Sequence, residues 1–399
     1  MKALIFSTLL LFAGMLGAAD APPIGNRMQV LQPEYQLGSY THMQQVYPSR
    51  IISRGGPVRE LPASRQPLTD VSYEYDGKRY KLEDYLKRVD VTGLLVLKDG
   101  KVAYETYRQG TGHYTRFVSW SMAKSFVSTL FGLALEDGLI KSVNDPVTQY
   151  VPELKDSAYK DNSLRDLLQM SSGVKFDEDY TGESRSLSVK AWIEGVAEQK
   201  IPYNQTILWF KERINPPGTH FYYASIEPQV VGWAVSRATG KHLADLLSER
   251  IWQHLGAEND ATWILDRTGG MEIASCCISA TLRDFGRFGL MFANGGRVGD
   301  QQLIPAEWIK VATRPDPQRE FLHPGHLSDG RAYGYQNYWW LWPGEEGAFS
   351  ALGYGGQEIY INPKRNIVIV RTATWPEENV EALLRESMAF EQAVVNALH

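Results

Sequence analysis

The chain has 399 residues, 43% hydrophobic and 22% charged, an ordinary globular composition with ample material for a core. A formal net charge of -5 and the lack of any Lys/Arg block exclude a charge-driven nucleic-acid surface. Cys276 and Cys277 are the only cysteines, and the eight histidines form no His-Glu-x-x-His pair, so neither a metal nor another cofactor is expected.

Met1-Lys2, an apolar run from Ala3 to Ala19, and then Asp20-Ala21-Pro22-Pro23 describe a secretory signal peptide over residues 1–21. Small residues permit cleavage after Ala19 or Ala21; a retained anchor is the alternative, although the run is marginal for a membrane span. The mature chain is expected outside the cytoplasm, in the periplasm of a Gram-negative host, with no stable membrane span. Export permits disulfides. A bond between adjacent cysteines closes a small strained ring, so Cys276 and Cys277 read as buried small side chains.

Residues 22 to about 66 carry Pro, Gly and Arg without periodicity and read as an irregular leader. Residues 67–399 read as one domain: a sheet subdomain from about 67–120 and 330–399, and a helical subdomain over about 121–329. Tyr73 to Tyr80 suggests a strand turned at Asp76-Gly77, and Leu82 to Val89 a helix. Gly93 to Leu97 and Val102 to Tyr107 flank Asp99-Gly100, a strong hairpin signal. Helices follow over Ser121 to Glu136, Leu164 to Met170, Gln229 to Thr239, His242 to Leu255 and Arg283 to Asn294, most of them stopped by glycine. Strands return at Gln357 to Ile361 and Ile367 to Thr374. Pro376 then opens a last helix with one apolar face. The economical fold is α/β of the α+β type. One antiparallel sheet is built from N- and C-terminal segments and flanked by helices, with an all-helical subdomain inserted.

Ser121-Met122-Ala123-Lys124 puts a hydroxyl and an amine on one helix face. A lysine so placed can accept the serine proton when its amine is partly neutral through burial or a nearby cation. The uncharged run that follows, Ser125 to Leu135, reads as a buried helix. Ser157-Ala158-Tyr159-Lys160 fits the same spacing but sits in a polar stretch and reads as surface loop. Eleven Trp and 21 Tyr are many, and several crowd near Trp339-Trp340-Leu341-Trp342, either as core or as a cleft wall.

With three further segments, this arrangement resembles the penicillin-binding-protein and serine β-lactamase fold, in its class C β-lactamase-like branch. Leu167-Leu168-Gln169-Met170-Ser171-Ser172-Gly173 resembles the branch's Leu-Leu-x-x-Thr-Ser-Gly segment. Tyr223-Ala224-Ser225 matches its Tyr-x-Asn/Ser element, and Gly353-Tyr354-Gly355-Gly356-Gln357 its glycine-rich third element. The resemblance spans roughly residues 67 to 398. Phe176-Asp177-Glu178-Asp179-Tyr180, the Tyr-x-Ser form and the Gly-Gln ending make it most similar to the 6-aminohexanoate-dimer hydrolases and related carboxylesterases. It implies Ser121 as nucleophile, Lys124 as proton acceptor and Tyr223 as relay to the leaving group. The backbone N–H groups of Ser121 and Tyr354 would hold the oxyanion. Tyr180, Ser225, Trp340 and Gly353 are the expected substrate contacts. A loop aromatic remains the alternative for Tyr180, a core tyrosine for Tyr223, and a local backbone bond for Ser225.

One departure bears on substrate. Where β-lactamases and D,D-peptidases carry Lys-Thr/Ser-Gly, this chain reads Ala351-Leu352-Gly353, without cation or hydroxyl. A small ester or amide is therefore the expected substrate. A D,D-peptidase or β-lactamase and a non-catalytic binding protein of the same fold stay open as alternatives.

Overall fold

The structure, a computed structural model, describes residues 21–65, 67–179, 186–344, 346–376 and 380–398. The expected signal peptide and Tyr180 lie outside the described residues, Ala21 excepted. No helix among them is long and apolar enough to cross a membrane.

Seven antiparallel strands form the main sheet, in the order Gly334–Gln336, Trp339–Leu341, Phe349–Gly353, Gln357–Asn362, Ile367–Ala373, Val91–Lys98, Lys101–Tyr107. The two ends of the chain meet where Ile367–Ala373 pairs with Val91–Lys98, Ile369 opposite Val96. Every residue of Ile367–Ala373 is buried, because helices cover both faces. Gly286 and Gly289 of the helix Leu282–Ala293 lie against Leu95 and Val368, so near that a Cβ would sit 2.8 and 2.6 Å from them. On the opposite face Arg371, one residue along from Val370, pairs with Glu391 of the C-terminal helix Val380–Ala397 and with Glu358, each at 2.6 Å. Asp99 and Gly100 both take positive φ (52° and 72°), which the two-residue turn of the Val91–Tyr107 hairpin requires.

The segment read as an irregular leader is structured. Helices Pro33–Thr41 and Met43–Val46 lead into the strand Ser49–Ile52, which pairs with Ala261–Ile264. That pair continues through Ile278–Thr281 to Arg116–Val118 as a second, four-stranded antiparallel sheet. The insertion between the halves of the main sheet thus mixes helices with strands: besides Arg116–Val118 and the short pair Arg297–Val298 with Gln301–Gln302, it supplies the two central strands of the four-stranded sheet, Ala261–Ile264 and Ile278–Thr281. Both are four residues long and buried throughout, so they carry no alternation to read. At its centre the helix Ala123–Glu136 is buried on all sides from Ala123 to Ala134 and packs on Ile226–Thr239. Gly132 allows this, since a Cβ there would fall 2.2 Å from the Trp308 ring.

Candidate active site

The small sheet delivers Ser121. Val118 ends a strand opposite Ser279, and Ser119 prolongs the contact: its N–H donates to the Ile278 carbonyl at 2.7 Å, and its Oγ accepts from the Ile278 N–H at 2.9 Å. Trp120 then takes a left-handed φ of 43°, rare for a bulky side chain, and turns the chain into the Trp120–Met122 3₁₀ turn. Ser121 rides on this turn, directly before the buried helix. Lys124, 2% exposed, lies in the helix's first turn. Its Nζ donates to Ser121 Oγ at 2.8 Å and to the Ser275 carbonyl at 2.9 Å, and stands 5.0 Å from the centre of the Tyr223 ring.

Tyr223 is held by the turn after the helix Leu164–Leu168. Met170 and Gly173 both have positive φ there. The Met170 carbonyl accepts from Tyr222 N–H at 2.8 Å, Ser171 from Gly218 at 2.7 Å, and Gly173 from Ile214 at 2.7 Å. A Cβ on Gly173 would sit 1.9 Å from the Asn215 carbonyl, so only glycine lets the two segments lie together. The Tyr223 ring stacks on Trp340 at 5.7 Å and 26°. Tyr335, opposite Trp340 in the sheet, meets both rings edge-on. On the exposed rim the Arg331 guanidinium lies 4.9 Å from the Trp340 ring centre and 3.4 Å from Asp329.

The glycine-rich element closes the other side. Gly353 ends a sheet strand against the Ser121 turn, and a Cβ there would lie 2.2 Å from the Ser119 carbonyl oxygen. Tyr354 follows, its ring edge-on to Trp120 at 6.0 Å.

Ser121, Lys124 and Tyr223 therefore converge, with Gly353 and Tyr354 beside them. Trp340, expected as a substrate contact, is 5% exposed and backs Tyr223. Ser225 is committed elsewhere: its N–H and Oγ donate to the Glu178 carboxylate at 2.8 and 2.5 Å. This bond ties the segment Phe176 to Asp179 to the start of the helix Ile226–Thr239. Ser157, read as surface, is buried and donates to the Leu154 carbonyl, while Lys160 faces solvent, so that copy of the motif brings no amine to its hydroxyl. Cys276 and Cys277 are buried, as expected, but their reading as separate small side chains is corrected, because they form a disulfide. A left-handed φ of 76° at Cys277 accommodates the small ring.

Sequence reasoning missed Ser275, whose contribution is a carbonyl and leaves no residue signature, and Arg331. Glu178 lay within a quoted motif without a role. Behind the site, Glu227 accepts from Ser172 Oγ at 2.5 Å, and burial holds its carboxyl well above the ordinary range. Burial likewise raises the phenols of Tyr335 and Tyr338 above their ordinary value. Among the described residues no group of three or more His, Cys, Asp or Glu could hold a metal ion.

A sheet joined from both chain ends, a helical insertion, and a buried lysine held against a serine hydroxyl define a serine hydrolase of the β-lactamase type. The chain belongs to the Beta-lactamase family, whose profile matches residues 81–393. It is 27% identical over 366 residues to the 6-aminohexanoate-dimer hydrolase of Paenarthrobacter ureafaciens, covering 90% of each chain. It is 24% identical over 204 residues to a beta-lactamase of Pseudomonas fluorescens, covering 48% of this chain and 51% of that one. Among solved structures, a Bacillus anthracis protein provisionally described as a 6-aminohexanoate-dimer hydrolase superposes with a TM-score of 0.80 at 24% identity, covering 92% of this chain and 96% of that one. EstCE1, a hydrolase with promiscuous acyltransferase activity, gives 0.61 at 15% identity, covering 79% and 98%.

Proposed function

We propose that this protein is an exported hydrolase that cleaves small esters or amides through an acyl-enzyme on Ser121. The observation that carries the reading is the Lys124 amine, buried, in contact with Ser121 Oγ and facing the Tyr223 ring. In the first half-reaction Ser121 Oγ bonds to the substrate carbonyl carbon as its proton passes to Lys124 Nζ. The bond to the leaving oxygen or nitrogen then breaks, and Tyr223 hands that atom a proton, replenished from Lys124. Water reverses the sequence and frees the acid. The Ser121 and Tyr354 N–H groups are the proposed oxyanion donors, each contributing about 3 kcal/mol to lowering the barrier.

The substrate class follows from the relatives' names and from Ala351. That side chain is fully buried in the sheet, so the slot that carries a lysine in β-lactamases here supplies no cation to a substrate carboxylate. The nearby aromatic wall suits an apolar acyl group. The proposal of export to the periplasm rests on the first 21 residues, which read as a signal peptide. A fluorophosphonate probe should label the native protein and not Ser121→Ala, and intact mass after p-nitrophenyl butyrate should show a Ser121 adduct. Nitrocefin turnover clearly above p-nitrophenyl butyrate turnover would overturn the substrate class.

A further inference from the structure

The residues around the Cys276–Cys277 disulfide are the ones that hold the site. Ser275, immediately before it, supplies the carbonyl that accepts from Lys124 Nζ at 2.9 Å. Cys277 itself donates its N–H to the Trp120 carbonyl at 3.2 Å, beside the nucleophile. Ile278, immediately after, exchanges two hydrogen bonds with Ser119. From behind, Trp263 Nε1 donates to both the Ile273 and the Cys276 carbonyls, each at 2.9 Å. Three residues of one four-residue stretch, Ser275, Cys277 and Ile278, thus orient the serine turn and the lysine together, and Cys277 is covalently closed on Cys276.

We propose that this disulfide is a positioning element of the hydrolytic site. Two left-handed residues, Trp120 and Cys277, face each other across one hydrogen bond. Neither conformation is favoured for a side-chain-bearing residue. An open pair of cysteines lets the peptide between them turn back toward ordinary φ, which would swing the Ser275 carbonyl from Lys124 and unseat Trp120. The ring removes that alternative. Both sulfur-bearing residues are buried, so the bond acts on geometry and not on the solvent face. The cysteines touch no reacting atom; they act through Ser275 and Trp120. The inference rests on Ser121 and Lys124 being the reacting pair.

The test uses the full exported protein. Ellman titration in denaturant should find no free thiol before reduction and two after. Cys276→Ala/Cys277→Ala should lower kcat for p-nitrophenyl butyrate about tenfold or more with KM within about twofold, since sub-ångström displacement acts on chemistry before binding. Cys276→Ala/Cys277→Gly should recover much of that loss, because glycine adopts the left-handed turn unaided. A purely structural role would not produce this split and rescue. Two free thiols in the unreduced protein would overturn the proposal, as would an Ala/Ala variant with unchanged kcat. A loss tracking only the unfolded fraction by circular dichroism, without rescue by glycine, would overturn it too. If the wild type resists fluorophosphonate, the serine reading fails instead, while the thiol count still reports on the disulfide.

Discussion

Gly353→Ala should cripple the enzyme without unfolding it. The added Cβ would begin 2.2 Å from the Ser119 carbonyl oxygen, while ordinary contact starts at 3.4 Å. The gap must therefore open by about 1 Å. No side-chain rotation can provide this, because the obstacle is backbone that hydrogen bonds to Ile278 already fix. Either the Ser119–Ser121 turn retreats or the Gly353–Tyr354 edge does, and both moves misalign the nucleophile with the proposed Tyr354 N–H. A misplacement of that size costs about 100-fold in rate, or roughly 2.7 kcal/mol of barrier. The overpacking itself should destabilise the fold by about 1–3 kcal/mol, little enough for a protein this size to remain folded. Steady-state kinetics on p-nitrophenyl butyrate, beside a thermal melt, read the two effects apart. A variant with wild-type kcat/KM would refute the argument that this close approach sets the site.

Lys124→Ala should lower kcat by about 10³-fold, and Tyr223→Phe, which keeps the stack on Trp340 and loses only the hydroxyl, by about 10²-fold; single-turnover assays compare them. Arg331→Ala should raise KM about fivefold for esters bearing a terminal carboxylate and leave neutral esters unchanged, as expected for an exposed cation at the rim. Equal effects on both would remove Arg331 from recognition. Glu227→Gln should flatten the dependence of Tm on pH. Burial raises the folded-state pKa of Glu227, so the stability it contributes is complete below the ordinary carboxylate value of about 4.5 and is lost as pH rises through the raised value. The variant avoids that loss and should gain on the wild type as pH rises above the ordinary carboxylate range; parallel melting curves there would count against it.

Four of the seven main-sheet strands were readable because their hairpins carry chemical punctuation, whereas Gly334–Gln336, Trp339–Leu341 and Phe349–Gly353 were not read as strands. Asp99-Gly100, like Asp76-Gly77 in the separate two-stranded sheet Ser72–Tyr75 with Lys78–Lys81, sits at positive φ, where those residues are favoured. Gly240 caps its helix in the left-handed region, as its place after Thr239 suggests. The N-terminal helix Pro33–Thr41 was not readable, since its buried face is Gln36, Gly38, Ser39, Tyr40 and Thr41. Contact with the chain at Pro22 and Pro23, into whose carbonyls a Cβ on Gly38 would run, decides that burial instead of an apolar pattern. At the candidate site, Ser121, Lys124 and Tyr223, which the structure brings together, could be proposed from sequence because their chemistry lies in side chains within recognisable short motifs. Ser275 could not, because it contributes a carbonyl aimed by tertiary structure. The cysteine pair was visible, but whether neighbours join depends on a backbone turn that only packing enforces.

The seam between Val91–Lys98 and Ile367–Ala373 bears on how the chain comes to life. A ribosome or translocon delivers the serine-bearing helix long before the strand that must lie beside it. Until the last hairpin arrives, Val91–Lys98 lacks its neighbour on one edge, and Gly353 has not reached Ser119. Such distant pairings form slowly and leave partly folded chains prone to association. The same order leaves a nascent or truncated chain with the proposed nucleophile but without the Gly353–Tyr354 edge beside it, so the proposed hydrolysis should await the last hairpin.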